Sequence, residues 1–74
     1  MNTKLQAARV RSGKTQEQVA KDAGVSIAMY QRYEYDKSEP GVRTAIRIAD
    51  ALGVTDLREL FAAAPDDTEN ITET

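Results

Sequence analysis

Seventy-four residues, 30% of them charged, allow one small domain whose core is marginal unless it is well packed or shared with a second copy. The absence of cysteine and histidine excludes disulfides, cysteine–histidine metal centres and thiol or imidazole catalysis, so no metal and no cofactor is expected. The net charge of −2 hides an uneven split: residues 66–74 hold four acids and no base, which leaves residues 1–65 at +2 from ten bases and eight acids.

Taken in chain order, Thr3 is the expected cap of a first helix, in which Leu5, Ala8 and Ser12, with Arg9, follow the spacing of one buried stripe. Gly13 stops it. Thr15, with Gln18 three positions on, forms a capping-box pattern and starts a second helix at Gln16. Val19, Ala20 and Ala23 share one side of that helix, and Gly24 closes it by taking positive φ. Val25 supplies an apolar plug in the turn, and Ser26 caps a third helix from Ile27 to about Tyr35. Two short helices joined by a glycine turn make a helix-turn-helix, and Ala20 is small where they cross.

Asp36 to Gly41 reads as a loop, because Pro40 disfavours helix in Glu39 and Gly41 adds a further break. A fourth helix then starts near Val42, with Val42, Ala45, Ile46, Ala49 and Leu52 on its apolar face, Ile48 widening that face and Gly53 ending it. Thr55 is the expected cap of a fifth helix carrying Leu57, Leu60 and Phe61, limited by Pro65. The pattern predicts an all-α, compact five-helix domain over residues 1–64 and an acidic, disordered tail over residues 65–74. MNTKLQAARV has no apolar signal core and no apolar run approaches the length of a membrane span, so a cytoplasmic location is expected; Asn70-Ile71-Thr72 is then a chance match to a glycosylation acceptor.

Steps of about 100° along the third helix place Ile27, Ala28, Gln31, Arg32 and Tyr35 in one arc and turn Tyr30 and Tyr33 the opposite way. One face against a core and the other in the major groove is what a recognition helix requires. Ser26, Ile27, Ala28, Gln31 and Arg32 are therefore the candidate base contacts, with Arg32 suited to guanine, Ile27 and Ala28 to thymine methyls, and Gln31 either to adenine or to holding Arg32. Gln16, at a helix N-terminus, is assigned to a phosphate, and Lys14, Tyr35, Lys37, Ser38 and Arg43 flank the motif as further phosphate contacts. The tyrosines do not form a single-strand stacking platform, because only Tyr35 faces out.

The chain resembles the Cro/CI-type helix-turn-helix proteins, the XRE family that includes the lambdoid phage repressors. Arg9, Gln16, the turn Gly24-Val25-Ser26, Glu34, Pro40 and the phrase IRIADALGVTDLRELF carry the resemblance across about sixty residues. Tyr30 and Tyr33 depart from it where aliphatic residues are commoner, as does Asp36-Lys37 where Asn-Gly-Lys is usual. The resemblance implies a lambda-repressor-like DNA-binding fold, an ion pair between Arg9 and Glu34, and a dimer contact through Leu57, Leu60 and Phe61.

The function expected is a sequence-specific transcriptional regulator, a repressor that occludes a palindromic double-stranded operator as a homodimer. The alternative is an antitoxin or other protein-binding helix-turn-helix module that neutralises a partner protein and autoregulates. An enzyme is not expected, since Asp22, Asp36, Asp50 and Asp56 are scattered, without paired spacing or a phosphate-cradling loop.

Overall fold

The computed structural model describes residues 1–61, which form four α-helices and one 3-10 turn with no strand among them. Helix α1 spans Thr3–Ser12, and its N-cap is Asn2, not Thr3. The Asn2 side-chain oxygen accepts from the Leu5 N–H at 3.0 Å, while its amide donates to the Leu60 carbonyl at 2.7 Å and its backbone N–H to the Glu34 carbonyl at 2.7 Å. Asparagine and threonine both cap well; the two distant carbonyls select the asparagine. Leu5 and Ala8 are buried, whereas Ser12 is exposed and donates to the Arg9 carbonyl at 2.7 Å, so it serves the helix end and not the core.

Helix α2, Gln16–Ala23, begins with both halves of the capping box: Gln18 N–H to the Thr15 hydroxyl at 3.1 Å and Thr15 N–H to the Gln18 side chain at 2.8 Å. It ends at Gly24, whose φ of +73° lets its N–H reach the last carbonyls. After Val25, which packs part-buried on the core, Ser26 accepts from the Met29 N–H at 3.0 Å and opens α3, Ile27–Glu34. Val19, Ala20 and Ala23 bury the inner side of α2, which packs mainly on α4 and next on α3.

Helix α4, Val42–Leu52, turns Ala45, Ile48, Ala49 and Leu52 inward at the i, i+3, i+4, i+7 spacing. Ile46 lies one 100° step from Ala45 and is 45% exposed, so it does not belong to the inner face. The expected fifth α-helix is not present among the described residues. In its place a 3-10 turn at Leu57–Glu59 is capped by Asp56, not Thr55, through a bond from the Arg58 N–H at 3.0 Å. Leu60 and Phe61 then drop into the core. Pro65, the boundary at residue 64 and the acidic tail lie outside the described residues.

The buried cluster joins Leu5 and Ala8 of α1 to α2, to Tyr30 and Tyr33 of α3, to α4 and to Leu60 and Phe61. None of the described helices is long and apolar enough to cross a membrane. Because Asn2 both caps α1 and holds the Leu60 carbonyl, Asn2→Ala removes two interactions at once. A loss of about 2 kcal/mol is expected, read as a lower urea midpoint at unchanged slope.

Candidate nucleic-acid interface

Helix α3 has two chemically opposite sides. Tyr30 and Tyr33 are buried in the core, while Ile27, Ala28, Arg32 and Tyr35 are exposed and Gln31 is half-buried. Eight residues are too few to hold a helix in water by propensity, so the tyrosine side, packed on the core, fixes the direction of the other. Ser26 is exposed at the helix mouth, with its hydroxyl already accepting from the Met29 N–H.

Arg32 lies along the loop after α3. Its Nε donates to the Ser38 hydroxyl at 3.1 Å and its Nη2 to the Lys37 carbonyl at 3.4 Å, while its own carbonyl accepts from the Lys37 N–H at 2.8 Å. The structure thus brings Arg32, Lys37 and Ser38 together, close in sequence to the exposed Tyr35. Arg43 is exposed in the first turn of α4. Lys14 is engaged elsewhere: its ammonium donates to Asp22 Oδ2 at 2.9 Å and to the Ala51 carbonyl at 2.6 Å, tying α2 to the end of α4. That position neutralises its charge with a carboxylate and takes two of its three donors.

Behind the exposed face stands a buried carboxylate. Glu34 is fully buried, and its Oε2 accepts from Arg9 Nε at 2.7 Å and from the Tyr30 hydroxyl at 2.6 Å. Its Oε1 accepts from Gln16 Nε2 at 2.9 Å. Gln16 Oε1 in turn accepts from Gln31 Nε2 at 3.1 Å, and Arg9 Nη1 donates to the Lys14 carbonyl at 3.1 Å. The side-chain amide of Gln16 is therefore bonded at both ends within the protein, which leaves the helix N-terminus on which its expected phosphate contact rests. Burial, and then the bond to and charge of Glu34, raise the Tyr30 phenol well above its ordinary value, so it remains a donor.

The patch expected for dimerisation is largely taken by the core. Leu60 is fully buried and Phe61 nearly so, because the chain turns inward after the 3-10 turn; Leu57 is half-buried. Sequence reasoning also missed the Tyr30–Glu34 bond, although their i, i+4 spacing on one helix was a usable signal. It missed Arg47 as well, whose guanidinium lies beside Gly24 in the α2–α3 turn; nothing local in the sequence marks that contact. Among the described residues no acidic cluster suited to a metal ion occurs.

A family model described as helix-turn-helix matches residues 5–60. No curated protein and no solved structure matches the chain.

Removing one partner of a buried charge strands the other. Arg9→Ala is expected to destabilise by about 3–5 kcal/mol, and Tyr30→Phe by about 1.5–3 kcal/mol, as for a lost bond to a charged group; both are read by chemical denaturation. The raised phenol also sets a pH window. In the unfolded chain Tyr30 ionises near pH 10 while the native state keeps its proton, so its contribution is flat below that pH and is lost as pH rises above it. Tyr30→Phe should show a shallower alkaline decline than the parent.

Proposed function

Because the chain belongs to the helix-turn-helix family, of the XRE type whose members are DNA-binding transcription regulators, we propose that it is a sequence-specific repressor that binds a palindromic operator as a homodimer. The observation that carries this reading is the two-sidedness of α3, with Tyr30 and Tyr33 buried and Ile27, Ala28 and Arg32 presented outward. A helix of that kind enters the major groove with its N-terminal residues leading. Ile27 and Ala28 meet thymine methyls, and Ser26 at the helix mouth reaches a base edge or phosphate. The Arg32 guanidinium, held by Ser38 and Lys37, swings or shares its donors to bond guanine O6 and N7.

Phosphates on either side of the groove are gripped by Tyr35, Lys37, Ser38 and Arg43, each on or next to α3 and the loop that follows it. Gln16 contributes through its backbone N–H at the start of α2, since its side chain is bonded to Glu34 and Gln31. Two copies bound one helical turn apart, with recognition helices about 34 Å from one another, occlude the promoter they cover. Of the apolar residues expected at the contact between copies, Leu57 retains surface to offer.

Selection from a random duplex pool tests the reading. The expected product is one preferred, two-fold symmetric sequence, whose affinity falls with salt by about 0.9 in log–log slope per phosphate contacted. Arg32→Ala should relax preference at a guanine position and weaken binding about 5- to 150-fold. A pool that returns no preferred sequence, or an affinity indifferent to salt, would overturn it.

A further inference from the structure

The buried Glu34 carboxylate does more than balance Arg9, because a carboxylate accepts hydrogen bonds and does not donate them. Gln16 must therefore present its NH2 end to Glu34 Oε1, where Nε2 sits at 2.9 Å. That choice leaves Gln16 Oε1 pointing away from Glu34, toward α3. Gln31 must then present its own NH2 end to Gln16 Oε1, where Nε2 sits at 3.1 Å. An amide side chain is chemically free to flip by 180°, but each flip in this chain would set acceptor against acceptor. The polarity of one buried charge is thus passed through two amides to a half-buried side chain on the outward arc of α3.

We propose that this relay makes Gln31 a reader of adenine in preference to guanine. Among the described residues no donor reaches Gln31 Oε1, so that oxygen and the second N–H of the same amide remain for the groove. Adenine offers the complement, an N6 amino donor beside the N7 acceptor, whereas guanine offers O6 and N7, two acceptors. With its orientation fixed, Gln31 sets Oε1 against guanine O6 and rejects it. An unrestrained glutamine would flip its NH2 end toward guanine and lose the distinction. Gln31 is the base-contacting residue here, and Gln16 and Glu34 act through it as positioning residues.

The inference rests on the major-groove reading of α3 and is tested on the operator which that reading predicts. Selection is run with the full chain and with Gln16→Met and Gln31→Met, both compatible with helix and placed outside the apolar core. In the parent, one position in each half-site should be adenine, favoured over guanine by about 5- to 150-fold. Gln31→Met should erase that preference. Gln16→Met should bring the adenine-to-guanine ratio at the same position to within about threefold, with preferences elsewhere unchanged; a loss of stability alone would weaken all sequences together and leave the ratio intact. Replacing that adenine by purine, which lacks the 6-amino group, should cost the parent affinity and cost Gln31→Met nothing. The relay is refuted if Gln16→Met keeps the parent ratio, or if the base lost in Gln31→Met is not adenine. An operator in which no position responds to Gln31→Met overturns this inference and leaves the operator reading standing, whereas a pool with no preferred sequence overturns both.

Discussion

Three helices meet at the carboxylate of Glu34. Arg9 arrives from α1, Gln16 from the first turn of α2, and Tyr30 from one turn earlier in α3 itself. Removing a carboxylate from water costs several kcal/mol, which only close partners can offset. A shift of any one helix by an ångström would lengthen a bond to this group, so the requirement that Glu34 be satisfied restricts the three relative orientations together. The apolar core supplies the larger share of the driving force but tolerates repacking. The buried charge tolerates less, since its partners are few and directional.

What reaches the surface follows from that constraint. Tyr30 is held inward both by its ring in the core and by its hydroxyl on Glu34, and a roll of α3 would break the bonds that Arg9 of α1 and Gln16 of α2 make to Glu34. The exposed arc from Ile27 to Arg32 is therefore aimed by groups on its far side. The Arg32 guanidinium lies at the other end of the arc, bonded to Ser38 and Lys37, and under the proposed reading it exchanges or shares those bonds on meeting a duplex.

Much of this was legible from local chemistry. The capping box at Thr15, the glycine at position 24 and the cap at Ser26 act within four residues, and the structure has each in its expected role. So is the burial of Tyr30 and Tyr33, which needs only the 3.6-residue period. The misplacements involve long-range partners or near-equal local choices. Asn2 displaces Thr3 as a cap because Leu60 and Glu34 carbonyls, far along the chain, draw its other polar groups. Asp56 displaces Thr55 by the choice of a neighbouring carboxylate over a hydroxyl, and among the described residues a single 3-10 turn stands where the fifth helix is expected. An isoleucine one step off an apolar stripe looks like part of it, yet Ile46 is exposed. Lys14 and Gln16 look like surface residues in sequence; only the tertiary structure shows Asp22, Ala51 and Glu34 waiting for them.

The bond from Asn2 to Leu60 bridges 58 positions of sequence. Closing a ring that long costs only logarithmically more than closing a short one, yet the knot it ties has a topological effect. The opening turn of α1 and the inward drop of Leu60 share a single clasp, and the same asparagine grips the end of α3. Within residues 1–61, fraying at either end loosens the other, so these two flanks are expected to open together and not one at a time.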